Sequence, residues 1–381
     1  MYQINFRFDF NLVTYIFYIH EIKFKCYLIS HIKKLNNFMG GIIMYDVGMY
    51  GGAFNPLHIK HVECIIKAAT MCRELYIVIS QAEKYETIDI RVKYRWIYRI
   101  TKHLSNVKIL ILKDKTESKA DYTEDLWDDD CRKVKEMIGK HIDAVFCGSD
   151  YDENSFWNKC YPDSEFIVFE RDKYISSTAI RNDVYGHWDW LPLEVRPYFV
   201  KKVLLIGGES TGKSTLTINL AKYYNTNFLE EVGRELSELS GTDKMMLKED
   251  YVKILLEHKD KELKLKESSN KLLFIDTDCL ITKFYMEFLK DDGIEKNAVL
   301  ADAIAKINDY DLILFLTPDV EFVQDGTRNE EIKNERKMYS DKIRKIYTES
   351  GFKYHVISGS YEERFLKAVD LIDNMLKPLE E

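Results

Sequence analysis

No apolar run in the chain is long enough for a membrane. The longest near its start, Phe10 to Ile19, is broken by Asn11 and Thr14 and falls short of the roughly 18–20 residues of a spanning helix. A basic leader and a small-residue cleavage site are also missing, which excludes a secretory signal and makes the cytoplasm the expected location. There is no CxxC pair. The seven cysteines (Cys26, Cys64, Cys72, Cys131, Cys147, Cys160, Cys279) are scattered and odd in number, which fits reduced thiols and not a disulfide frame or zinc site. A net charge of −8 argues against nucleic-acid binding through a general basic surface. Internal repeats and low-complexity linkers are absent too.

What is there describes a globular protein: 46% hydrophobic and 31% charged residues in 381, enough for two domains with separate cores. Residues 1–43 stand apart, rich in Ile, Phe and Tyr, with Asp9 and Glu21 as their only acids. They are expected to be a leader contributing little to function, with Met44 offering a start just before the first clean strand.

Beyond that leader, short apolar runs alternate with longer amphipathic ones. Ile42–Tyr50, Leu75–Ser80, Val107–Leu112, Ala144–Cys147 and Phe166–Phe169 read as strands. Between the first two, Ile59–Met71 reads as a helix with Val62, Ile65, Ile66 and Ala69 on its apolar face. A second series starts at Lys202: strand Val203–Ile206, helix Lys213–Tyr223, and strands Leu272–Ile275, Leu312–Leu316 and Tyr354–Ile357. Asp250–Glu267 and Ile332–Thr348 read as long charged helices. This alternation predicts an α/β chain of two parallel sheets, each flanked by helices. The boundary falls near Pro192 and Pro197, giving a first domain over residues 44–195 and a second over 196–381.

Two glycine-rich turns follow apolar strands. In Gly51-Gly52-Ala53-Phe54-Asn55-Pro56-Leu57-His58-Ile59-Lys60-His61, the glycines allow a tight turn and close approach of a ligand. His58 and His61 then share one face of the following helix's first turn, beside its free N–H groups. Further on, Ser176, Ser177 and Thr178 precede Arg181, whose fork suits phosphate oxygens. The second turn, Gly207-Gly208-Glu209-Ser210-Thr211-Gly212-Lys213-Ser214-Thr215, has the full phosphate-loop pattern between a strand and a helix. Its N–H groups would cradle the β-phosphate, Lys213 would reach the β- and γ-phosphates, and Ser214 would ligate Mg²⁺. The strand over Leu272–Ile275 ends in Asp276 and Asp278, with Asp276 the first choice for the Mg²⁺ network. Glu230, Glu231 and Arg234 follow a further short strand and are expected to face the acceptor, while Arg328 and Arg336 read as a lid over the phosphates.

Together the first turn and Ile175–Arg181 resemble the paired signatures of the HxGH nucleotidyltransferases, with Lys60 where that motif has glycine. That lysine is expected either to hinder backbone approach or to lend the triphosphate a charge. The order Ile175–Arg181, Trp188-Asp189-Trp190, Glu194–Val203, Gly207–Ser214, Glu231–Glu235, Phe274–Asp278, Asp325–Arg328 resembles the NadR-type bifunctional nicotinamide-nucleotide adenylyltransferase and ribosylnicotinamide kinase family.

The resemblance implies that the second domain uses ATP and Mg²⁺ to phosphorylate ribosylnicotinamide. The first domain would then join the mononucleotide to a second ATP, giving NAD and pyrophosphate. It implies catalytic roles for His58, His61, Arg181, Lys213 and Asp276. Gly52, Ala53, Phe54, Ser176, Ser177 and Thr178 would help hold one ATP; Gly207–Thr215 and Arg328 would hold the other. The mononucleotide would meet Arg91, Arg95, Trp127, Gly148, Ser149 and Asp150, and the riboside Glu231, Arg234, Asp276 and Asp278. Trp96 would help hold the nucleotide. The expected partners are these small molecules, with no nucleic acid and no membrane; residues 1–43 lack the pattern of a helix-turn-helix, and a homo-oligomer is compatible. Two other readings stay open: the same chemistry on another acceptor, such as pantetheine phosphate, and a nucleotide-sensing regulator with one weakened site.

Overall fold

The computed structural model describes residues 44–82, 86–114, 123–148, 159–170, 175–240, 245–289, 294–323 and 333–378. Ten strands form two five-stranded sheets in which every pairing is parallel. The first sheet is ordered β3-β2-β1-β4-β5, from β1 (Tyr45–Gly52), β2 (Cys72–Ala82), β3 (Val107–Asp114), β4 (Ala144–Gly148) and β5 (Glu165–Phe169). The helices α1 (Ile59–Met71), α2 (Ile90–Thr101), α3 (Glu124–Ile138) and α4 (Ser177–Asn182) accompany it, and a short α5 (Arg196–Phe199) leads out.

The second sheet is ordered β10-β9-β6-β8-β7: β6 (Lys201–Gly207), β7 (Phe228–Leu229), β8 (Leu272–Asp276), β9 (Leu312–Leu316) and β10 (His355–Ile357). Its helices are α6 (Lys213–Tyr223), α7 (Val232–Leu239), α8 (Lys248–Lys266), α9 (Cys279–Leu289), α10 (Ile294–Ile307), α11 (Arg336–Glu349) and α12 (Tyr361–Leu376). No helix of the described residues is long and apolar enough to cross a membrane.

In both sheets the first strand is central and the chain winds outward on both sides. Neighbouring strands therefore leave in opposite directions at the carboxyl ends of β1 and β6, the crevice where open α/β sheets bind ligands. Both glycine-rich turns open there. Close packing of β1 is built in at Gly48, where an added Cβ would lie 2.3 Å from Cys72 Sγ and 2.7 Å from the Phe146 ring.

Some expected elements shift. The buried face of α1 is His61, Cys64, Ile65, Ala68 and Ala69, so Val62 and Ile66 lie off its centre. The phase is turned because His61, polar by type, points inward with the core. The helices α9, α10 and α12 were not expected. The core runs between the two sheets: Trp96 on α2 packs edge-on to Tyr198 (5.5 Å, 88°) and beside Phe199 (6.5 Å), and Arg99 meets Glu267 at 3.2 Å.

Candidate functional site

At the end of β1 the chain turns through Phe54, whose φ of 47° is a left-handed conformation rare outside glycine. Such strain is held only where its surroundings over-determine it, and it gathers at ligand sites. Here Phe54 is buried and its ring meets His61 edge-on at 5.2 Å. His58 and His61 stack at 3.7 Å, and His61 Nδ1 accepts the His58 N–H at 3.4 Å. A neutral His61 thus carries its proton on Nε2.

The hydroxyl–arginine segment closes on the same loop. Arg181 donates to the Asn55 carbonyl (2.5 Å) and to Thr178 Oγ1 (3.0 Å), and Ser177 Oγ donates to the Pro56 carbonyl (3.1 Å). Ser176 caps α4 through the Ala179 N–H (3.1 Å). Two segments more than 120 residues apart in sequence are brought together at one sheet edge. Gly52 and Ala53 lie in the same turn. Lys60 turns to its own helix, where Nζ lies 3.0 Å from Glu63 Oε2.

The expected mononucleotide residues are dispersed. Arg91 is 84% exposed and paired with Asp89, and Arg95 is exposed as well. The cation that α2 turns inward is Lys93, fully buried against Glu86 (2.5 Å), with Arg181 near enough to oppose its charge. Burial is the larger influence and lowers the Lys93 pKa. Trp96 belongs to the junction between the sheets, and Trp127 packs on the cluster containing Cys131 and Val134. Gly148 is buried at the end of β4; Ser149, Asp150 and Arg328 lie outside the described residues.

The second loop is better enclosed. Gly207, Ser210 and Gly212 all have positive φ, 148°, 55° and 83°. Lys213 Nζ and Thr211 Oγ1 both donate to the Gly208 carbonyl at 2.9 Å. Arg336 grips the Ser210 carbonyl (3.1 Å), and Tyr285 donates to Glu209 (3.3 Å). Sequence reasoning missed Arg364. This buried guanidinium on α12 donates to the carbonyls of Thr211 (2.6 Å), Gly359 (2.8 Å) and Thr317 (2.9 Å) and pairs with Asp319. The available signal was Ser360-x-x-Glu363, a capping box that starts α12 and fixes the arginine's place. Thr215 is exposed on the first turn of α6.

Beside this loop lies a cavity of about 200 Å³ between α7, α8 and α9. Lys213, Ser214, Glu231 and Arg234 line one part of it; Met246, Tyr251, Ile254, Ile281 and His258 line another. Arg234 donates to Ser214 Oγ (3.1 Å) and lies 3.5 Å from Glu231. Asp276 is 2% exposed, and its Oδ1 has no hydrogen-bond partner among the described residues. Burial, then the charge of Glu231, pushes its carboxyl up to about 6, against the pull of Lys213. The next residue, Thr277, has φ 66° and turns the chain away. Asp278 lies just beyond that turn. Its carboxylate accepts from the hydroxyls of Tyr347 and Tyr310 (3.2 Å) and from the Leu280 N–H (2.9 Å), whereas Asp276 lines an adjoining cleft with Ser214, Glu231 and Arg234; neither acid is among the residues lining the cavity itself.

Of the two parallel sheets, one closes a histidine–arginine loop and the other a phosphate loop with a buried acid. Residues 202–364 match the family described as AAA domain. Over 348 residues the chain is 27% identical to the trifunctional NAD biosynthesis/regulator protein NadR of Salmonella typhimurium, spanning 87% of this chain and 83% of that protein. The NadR of Escherichia coli K12 gives 27% identity over 347 residues, with the same coverage of both chains. A crystal structure of NadR protein in complex with NR superposes with a TM-score of 0.73 at 23% identity, covering 88% of this chain and 99% of that one. The chain is an enzyme homologous to the NadR proteins and shares their two-sheet architecture.

Proposed function

We propose that the chain carries out two consecutive steps of NAD biosynthesis. In the second domain, residues 196–381, the 5′-oxygen of ribosylnicotinamide attacks the γ-phosphorus of ATP; ADP leaves and the hydroxyl proton is released. In the first, residues 44–195, a phosphate oxygen of the resulting mononucleotide attacks the α-phosphorus of a second ATP. The α–β bridge breaks, giving NAD and pyrophosphate. Neither step needs a covalent enzyme intermediate, so positioning and charge neutralisation carry the catalysis.

One observation carries this reading: a cavity with a phosphate loop at one side and an aromatic and aliphatic wall at the other fits a flat ring on a ribose, presented to ATP. Asp276 is the group to receive the hydroxyl proton. Its free Oδ1 and the Ser214 hydroxyl are also suited to Mg²⁺, whose charge would neutralise phosphate oxygens. Glu231 and Arg234 would hold the ribose. In the first domain, His58, His61 and Arg181 would bind the triphosphate, with Lys93 as a further inward cation. The Lys213 amine held at its own loop and the unpartnered Oδ1 of Asp276 support an enzyme over a sensor.

The test is chromatography of the products formed from ATP, Mg²⁺ and ribosylnicotinamide. Mononucleotide should appear first and NAD after it; absence of both would refute the substrate assignment. The kinase step should also depend on pH in one direction. Asp276 acts as the carboxylate, its pKa is raised to about 6, and protonation removes the acceptor. The kinase kcat/KM should therefore be level above that pH and fall about tenfold per unit below it. A profile flat down to pH 5 would exclude this role.

A further inference from the structure

We infer that Lys93 is a positioning residue for adenylyl transfer: by holding the buried Glu86 carboxylate, it leaves the Arg181 guanidinium unclaimed by any protein acid and turned to the triphosphate. The inference rests on the adenylyl-transfer reading of the first domain. Three segments meet beyond the ends of β1 and β2, which run side by side up to Gly52 and Ile79. They are the turn that carries Phe54 and Asn55, the stretch from Glu86 into α2, and α4 with Arg181. Ile88, Ile180, Phe54 and Leu57 from these segments share one apolar cluster. The Glu86 N–H donates to the Ala82 carbonyl (3.2 Å), which fixes the acid at the end of β2.

The two cations of this group stand in different surroundings. Lys93 has no exposed side-chain surface and Glu86 keeps 4%, with Nζ 2.5 Å from the carboxylate. So enclosed a lysine offers a nucleotide nothing to touch, and whatever it does for a ligand it does through a neighbour. Arg181 is exposed, and both of its side-chain partners are neutral oxygens, the Asn55 carbonyl and the Thr178 hydroxyl. Among the described residues no carboxylate pairs with it. It lies close enough to Lys93 for the two charges to oppose each other. Two cations thus stand beside one acid, and the acid is taken by the cation that no ligand can reach.

That division decides which charge remains for phosphate oxygens. A carboxylate left buried without a partner is strongly unfavourable and draws in a cation within reach. Without Lys93 that cation is Arg181, which would exchange two neutral oxygens for a charge-assisted pair. A guanidinium committed to Glu86 no longer meets the triphosphate. Removing acid and lysine together avoids the exchange, because a buried ion pair can be replaced by apolar side chains of similar volume at little cost.

The experiment measures adenylyl transfer from ATP to the mononucleotide in the wild type, Lys93→Met, the double variant Lys93→Met/Glu86→Met, and Arg181→Ala. Melting temperature and riboside phosphorylation serve as folding controls. Lys93→Met should lose roughly 10²-fold in kcat/KM, approaching Arg181→Ala, because the same guanidinium is withdrawn. The double variant should regain most of that loss although it carries no cation at position 93. A folded double variant as poor as the single one would overturn the inference and make Lys93 itself the working cation. Full activity in Lys93→Met would overturn it equally. Should Lys93→Met not fold, the double variant decides alone: transfer near the wild-type rate sustains the inference, and transfer at the Arg181→Ala level refutes it. A wild type that formed no NAD from ATP and mononucleotide would refute the adenylyl-transfer reading itself, and the inference with it.

Discussion

Replacing Lys213 with alanine should abolish phosphorylation of the riboside while adenylyl transfer continues at the wild-type rate. Lys213 is buried under its own loop, with Nζ 2.9 Å from the Gly208 carbonyl. A charged amine there is poised to exchange one carbonyl for the more negative oxygens of a triphosphate. Removing a single group that stabilises charge in the transition state costs roughly 10²–10³-fold in rate, and the kinase should lose at least that. The loop itself should survive, because Arg364 and Thr211 hold its backbone independently. Separate assays with riboside and with mononucleotide would read the two activities. Loss of both from a folded variant would mean that the sites do not work as separate units.

His61→Ala should produce the converse: kinase activity kept and adenylyl transfer reduced roughly 10²–10³-fold. His61 does more than present a nitrogen. It stacks on His58 and takes the edge of Phe54, so its loss removes a donor and loosens the strained turn that aims the other imidazole. His61→Asn retains a donor without the stacked ring. A rate between alanine and wild type would separate the two contributions, and a variant indistinguishable from wild type would exclude His61 from the reaction.

Much of the fold was legible because it rests on local period and punctuation. Ile59–Met71, Lys213–Tyr223 and Leu312–Leu316 are bounded where their apolar patterns and flanking turns indicated. The phosphate loop was legible for a different reason: its backbone demands glycine at fixed steps, and the lysine follows at once. Residues whose importance comes from depth were not legible. Arg91, Lys93 and Arg95 are three cations on one helix, and only the phase of α2 against β2 and β3 decides that Lys93 enters while its neighbours stay in solvent. Asp276 and Asp278 look equivalent as letters. The left-handed Thr277 between them parts the two: Asp276 lines a cleft with Ser214 and Glu231, and Asp278 is held by two tyrosines.

Arg364 also bears on how such a chain can be divided. The nine residues Gly207–Thr215 satisfy the phosphate-loop pattern by themselves, yet one side chain on the final helix ties together that loop, the end of β9 and the turn after β10. A fragment ending before it would retain every letter of the motif and lose the fastening that gives the loop its shape. For this enzyme, the presence of a signature and the possession of a working site are separable by a single cut near the carboxyl end.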